Sequence, residues 1–145
     1  MTRERFSQKE RDQILSAIRE AELSTSGEIK VHIEKTCKKD VMDRAAKVFA
    51  TLGMHKTELR NGVLFYIALV DRKFAILGDG GINAVVPDTF WDGIKEKMLV
   101  SFQKDKFADG LSEGIIMAGE QLKSHFPYEE GDRNELDDDI SFADN

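Results

Sequence analysis

The feature that most constrains the fold is an uninterrupted apolar run: Val63, Leu64, Phe65, Tyr66, Ile67, Ala68, Leu69 and Val70 in succession. Eight residues fall well short of the roughly 20 that a membrane-crossing helix requires. Aromatic and β-branched side chains dominate the run, so it reads as a strand covered on both faces, at the centre of a sheet. Such a strand demands helices above and below it. Asp71 and Arg72 then form a tight turn into a second apolar segment, residues 73–77, which predicts an antiparallel hairpin.

The flanking segments supply the helices. Ser7 and Glu10 form a capping-box pair ahead of Ile14, Leu15, Ile18 and Ala21, whose spacing predicts a helix over residues 7–22. The pattern changes at Glu28 to strict alternation, with Ile29, Val31 and Ile33 on one face and Lys30, His32 and Glu34 on the other. That is a strand with one more polar face, under a helix or near a sheet edge. Asp40 caps a second helix, which carries Ala45, Val48, Phe49 and Leu52 inward and stops at Gly53. After the hairpin, a loop runs from Gly78 to Pro87. Asp88 is placed to cap a third helix that buries Phe90, Trp91, Ile94, Met98, Leu99 and Phe102. A fourth helix spans residues 107–125 and ends before Pro127. The order α-β-α-β-β-α-α permits one layer of sheet between two layers of helices.

Charge divides the chain in two. Of its 27 acids, eight lie from Tyr128 onward beside a single base, Arg133, and this segment accounts for the net charge of −6. Residues 1–127 form a near-neutral domain, whereas residues 128–145 read as an acidic, disordered tail. A near-neutral domain offers no phosphate-tracking basic face, so nucleic acid is not an expected partner. The charged N-terminus lacks the apolar core of a signal peptide, and no segment is long enough for membrane insertion. The single cysteine, Cys37, excludes an internal disulfide. The expected setting is cytoplasmic.

No catalytic motif is complete. Gly78, Gly80 and Gly81 invite comparison with a dinucleotide fingerprint, but Asn83 stands where its last glycine belongs, and the segment follows a hairpin strand. His32, His55 and His125 are too dispersed for a zinc motif. Lysines around Cys37 would favour a reactive thiolate; a plain exposed thiol is the simpler reading. No serine sits in a nucleophile elbow.

Topology nevertheless gathers acids. If the first two strands are parallel and the third returns, three loops meet at one end of the sheet: residues 23–27, 54–61 and 78–88. They bring Glu28, His55, Glu58, Asp79 and Asp88 together, with Asp92 one helical turn beyond Asp88. Carboxylates and carbonyls of glycine-rich loops are the donors that hard cations prefer. Taken singly, each acid has a plainer role: Asp88 as an N-cap, Asp79 in a turn, Glu28 and Glu58 solvated.

Three stretches resemble one family. Residues 25–31 (Thr-Ser-Gly-Glu-Ile-Lys-Val) resemble its first-strand signature, residues 61–73 its central hairpin, and residues 75–82 (Ala-Ile-Leu-Gly-Asp-Gly-Gly-Ile) its glycine loop. With Phe90, Trp91 and the helix start at residues 107–110, this ordered set is similar to the TPM domain. That domain is named for thylakoid-lumen, photosystem-repair and nematode receptor-modulating members. The resemblance implies an αβα sandwich, here a mixed central sheet of three to four strands flanked by about four helices. It also implies divalent-metal binding through acidic loop residues, with Asp79 as the glycine-loop acid and Glu28 as the strand-entry acid. Arg60 stands where a familiar family pattern has an acid before Asn-Gly, and Ile82 and Asn83 stand where a second acid often follows the glycine loop. Phosphatase activity is associated with some members.

The leading expectation is a stand-alone regulatory module that binds a divalent ion, calcium before zinc or magnesium, through Asp79, Glu28, Glu58, Asp88 and Asp92. The alternatives are a metal-dependent acid phosphatase and a protein-interaction module using the acidic tail, its partner unidentified.

Overall fold

A computed structural model describes residues 2–128 and 140–145. The central run becomes β2, Gly62–Ala68, buried at every position. It lies between β1, Glu28–Glu34, which runs parallel to it, and β3, Lys73–Gly78, which is antiparallel. A short fourth strand, β4, Ser141–Ala143, pairs in parallel with β1 and completes the order β3-β2-β1-β4.

The two faces of the sheet are covered unequally. Ile29, Val31 and Ile33 of β1 join Val63, Phe65 and Ile67 of β2 in the main core. Over this face lie α1 (Gln8–Ser24), α4 (Asp92–Gln103) and α5 (Phe107–Leu122). Leu64, Tyr66 and Ala68 face the other way, onto Ala45, Val48 and Phe49 of α2 (Val41–Thr51). The result is a three-layer αβα sandwich. Each fully buried aliphatic or aromatic side chain in these clusters contributes about 1.5–3 kcal/mol, so β2, which feeds both, is the strand least able to tolerate a polar substitution.

Local chemistry sets the element ends. The Ser7 hydroxyl accepts from the Glu10 N–H at 3.1 Å, and the Glu10 carboxylate accepts from the Ser7 N–H at 2.9 Å. Asp40 caps α2 by accepting from the N–H groups of Met42 and Asp43. Gly53 stops it at φ 69°, a left-handed conformation that suits glycine.

Four details depart from the sequence expectation. The loop after β3 contains a single helical turn, α3 (Gly80–Asn83), with Asp79 as its N-cap. Asp88 does not cap α4. Instead two successive turns, Phe90 N–H to Pro87 O and Asp92 N–H to Thr89 O, carry the chain to a start at Asp92. Burial of Trp91, whose ring packs edge-on to Phe90 at 4.7 Å, delays the helix. Leu99 points outward. Finally, residues 140–145 do not belong to a disordered tail. Ile140 is buried, Phe142 packs 6.3 Å from Phe6, and Arg3 lies over the Phe142 ring. Two apolar anchors within an acidic stretch, together with the edge that β1 offers, account for this. Residues 129–139 of the expected tail lie outside the described residues. Among the described residues no helix is long and apolar enough to cross a membrane.

Candidate functional site

The parallel β1–β2 pair and the returning β3 bring three loops to one end of the sheet, as the strand directions require. Backbone hydrogen bonds lace them together: Glu28 N–H to Asn61 O, Asp79 N–H to Gly62 O, and Gly81 N–H to Arg60 O. The fit is tight enough that a Cβ on Gly81 would lie 2.2 Å from Leu59 O and 2.6 Å from Arg60 O. Only glycine permits that approach.

Asp79 sits at this junction, buried to 7% exposure. Arg60 grips it through two parallel bonds, Nε to Oδ2 at 2.7 Å and Nη2 to Oδ1 at 2.9 Å. Oδ1 also accepts from the Gly80 N–H at 2.7 Å. Burial would push the Asp79 carboxyl up, but Arg60, the Gly80 N–H and the charge of His55 outweigh it and hold the group below its usual range. Arg60 adopts φ 51°, directed by a turn in which Thr57 O and Oγ1 accept the N–H groups of Arg60 and Asn61.

The expected ligands are therefore brought together only in part. Asp79 and the entry of β1 at Glu28, itself buried, share the junction. Glu58 is exposed on the loop beside it, and Asp88 and Asp92 are exposed on the turn before α4 and at its first residue. Among the described residues, no three or more His, Cys, Asp or Glu side chains form a group that could hold a metal ion. The donor chemistry at Asp79 suits a hard cation, yet both of its oxygens are engaged by the guanidinium. The residues fit such an ion only with Arg60 turned away. Arg60 is the partner that reading single acids misses. The hairpin register pairs Val63 with Gly78, and continued outward it sets residue 60 opposite residue 81 and residue 79 opposite residue 62, so Arg60 reaches Asp79 diagonally across the hairpin.

A second polar constellation lies at the opposite end. Glu34, the last residue of β1, is fully buried and accepts from Arg44 at 2.8 and 2.7 Å, from the Tyr66 hydroxyl, and from His32 Nε2 at 2.9 Å. Burial opposes ionisation of Glu34, but the hydrogen bonds from Arg44, Tyr66 and His32 prevail and bring its pKa down to about 2. Burial lowers the pKa of His32, leaving the ring neutral at pH 7. Since an ionised carboxylate can only accept, Nε2 carries the proton, and Nδ1 accepts from the Ser141 hydroxyl at 2.8 Å. The sequence signal was available here too. His32 and Glu34 share the polar face of β1, and His32 pairs in register with Tyr66. Cys37, expected to be exposed, is buried nearby, its N–H donating to Asp71 at 2.7 Å.

Comparisons with known proteins agree with this architecture. The BA42 protein of the psychrophilic bacterium Bizionia argentinensis, solved by NMR, is 46% identical over 95% of each chain, with a TM-score of 0.90. The N-terminal domain of a P. gingivalis protein superposes with a TM-score of 0.70 at 20% identity, covering 86% of this chain and 82% of that one. The N-terminal domain of a Corynebacterium glutamicum protein gives 0.62 at 16% identity, covering 88% and 78%. At these lower identities the likeness is one of fold. No functionally curated protein matches the chain significantly. The family model of the TPM domain matches residues 2–121, nearly the whole αβα sandwich, and the chain belongs to the TPM domain family.

Proposed function

We propose that this protein is a divalent-cation-binding module, with calcium the favoured ion and magnesium or zinc as alternatives, and that it regulates rather than catalyses. The observation that carries the reading is Asp79, a buried carboxylate kept ionised where three loops meet. A hard cation seeks such an oxygen together with loop carbonyls. Asp79 is the principal ligand in this reading. Glu28 lies at the same junction, and Glu58, Asp88 and Asp92 are peripheral acids that draw cations toward it.

The phosphatase alternative would call on the same carboxylate, which Arg60 holds on both oxygens, so either reading requires Arg60 to move. Calcium titration followed by amide chemical shifts tests the proposal. Residues 54–61 and 78–92 should move together with one midpoint, and Asp79→Asn should abolish the response. Shifts confined to residues 128–145 would instead show a polyelectrolyte effect of the acidic segment and overturn it.

A further inference from the structure

We propose that the outer edge of β3 is a docking site for an extended acidic peptide of a partner protein, which adds as a further strand and seats one large apolar side chain beside α4. The sheet order leaves this edge free. β2 lies on one side of β3 and no described strand on the other, whereas the far edge of the sheet carries β4. The bond from the Asp79 N–H to Gly62 O identifies residues 79 and 62 as a hydrogen-bonded pair. By the β2–β3 register, odd-numbered residues of β3 then bond to β2, and Phe74 and Ile76 turn their N–H and C=O groups outward. Among the described residues no hydrogen bond reaches those groups. Asn83 Nδ2 donates to Gly78 O at 3.1 Å, which closes the edge at that end. An unpaired row of this kind is a template for strand addition.

The flanking side chains specify what the added strand carries. Phe74 and Ile76 face the main core on the α4 side, while Ala75 and Leu77 face α2. A residue paired opposite Phe74 projects to the same side as Phe74. A partly open pocket lies there, lined by Phe74, Leu99, Phe102, Gln103 and Phe107. Phe102 packs edge-on to Phe74 at 5.0 Å and lies 5.4 Å from Phe107, which gives the pocket an aromatic floor. Leu99, at the rim, is 45% exposed. An aromatic or leucine side chain suits this lining, which contains no acid. Charge specifies the rest. Lys73 Nζ donates to Cys37 O and Lys39 O, so the segment holding Lys38 and Lys39 lies beside Arg72 and Lys73 at the turn end of β3. Asp71 and Asp105 approach these bases only loosely, at 3.9 Å from Lys38 and 3.5 Å from Arg72. Exposed bases at the turn favour acids on the peptide end that reaches it, the C-terminal end in an antiparallel addition. The edge groups already face outward, so docking displaces no strand.

The test uses the full chain and a synthetic peptide, Thr-Val-Thr-Phe-Asp-Glu-Glu, followed by amide hydrogen exchange and chemical shifts. The Phe74 and Ile76 amides should gain protection, and the amides of Leu99, Phe102, Gln103 and Phe107 should shift with the same midpoint. Methylating the peptide nitrogens of Val and Phe, which removes the donors that face β3, should abolish binding. Leu99→Lys should weaken it roughly tenfold. Arg72→Glu should weaken it by roughly fivefold, a loss that shrinks in high salt. Both substitutions are at exposed positions, and the wild-type experiment decides alone if either variant fails to fold. The proposal is overturned if the peptide leaves the Phe74 and Ile76 amides unprotected, if the methylated peptide binds equally well, or if protection appears at β4 instead. Protection of Phe74 and Ile76 without peptide, lost on dilution, would assign the edge to a second copy of this chain and overturn it as well.

Discussion

Two carboxylates of this protein are each gripped by an arginine through two parallel hydrogen bonds, at opposite ends of one sheet. Their bond lengths are almost the same: 2.8 and 2.7 Å for Arg44 on Glu34, 2.7 and 2.9 Å for Arg60 on Asp79. What differs is the surroundings. Glu34 is fully buried and has two further donors, Tyr66 and His32, while Arg44 is 25% exposed. Asp79 has one further donor, and its arginine stands more than half in water. A fork of hydrogen bonds is a strong geometry in both cases, but its energy follows the local dielectric and the number of partners that would be orphaned with it. The Glu34 end is built to stay shut. At the Asp79 end one partner is buried and the other stands largely in solvent.

The largest test of that contrast is Glu34→Gln. It leaves Arg44 facing a neutral amide and disrupts the acceptors of Tyr66 and His32. Removing one side of a buried pair costs about 3–5 kcal/mol. Urea unfolding should show a loss of that order. A loss below about 1 kcal/mol would mean that the buried network is no more structural than an exposed pair.

Acid pH separates the two ends next. The folded-state pKa of Glu34 lies below its ordinary value, at about 2 instead of 4.5. The corresponding stability is therefore complete above the unfolded value and is lost as pH falls from about 4.5 toward about 2. The size of the shift implies about 3 kcal/mol across that window. Asp79 is depressed in the same direction, so its contribution also disappears on acidification. Unfolding measured from pH 5 to pH 2 in wild type and Glu34→Gln should show a much flatter acid limb in the variant. Identical limbs would assign the acid sensitivity to other carboxylates.

A third, smaller effect concerns the strand that closes the Glu34 end. Phe142→Ala should destabilise the protein by about 1–2 kcal/mol, less than the roughly 3–5 kcal/mol of a fully buried phenylalanine, because Phe142 is only half-buried. The Ile33 amide, on the side of β1 that faces β4, should also lose hydrogen-exchange protection. If exchange there is unaffected, β4 does not guard this edge.

The reach of the sequence follows the same division between backbone pattern and pairwise chemistry. Alternation in β1, the unbroken run of β2 and the Ser7–Glu10 box each express a period or spacing that few structures satisfy, and the sheet centre, the hairpin and the parallel β1–β2 pair were all legible. The start of α4 was not, because Asp88 is a good cap in isolation and only tertiary burial of Trp91 overrides it. β4 was hidden because the acidic composition of residues 128–145 obscured Ile140 and Phe142, and its partner edge is over a hundred residues away. At the candidate site the convergence of Glu28 and Asp79 could be read from strand direction. The role of Arg60 could not be read by collecting acids, since it depends on a basic residue reaching across the hairpin.

The smallest effect is the most discriminating. Arg60→Gln removes a bidentate pair with bond lengths like those at Glu34, so geometry alone would anticipate a similar loss of stability. Solvent around the half-exposed guanidinium argues otherwise. Solvent-exposed partners contribute little, and the bonds from Arg60 to Gly81 and Thr57 are backbone bonds that the substitution does not itself remove. Urea unfolding of Arg60→Gln should therefore show only a small loss relative to wild type, against the several kcal/mol expected for Glu34→Gln. A loss in Arg60→Gln as large as that in Glu34→Gln would make the two ends equivalent and the Asp79 junction a second structural lock.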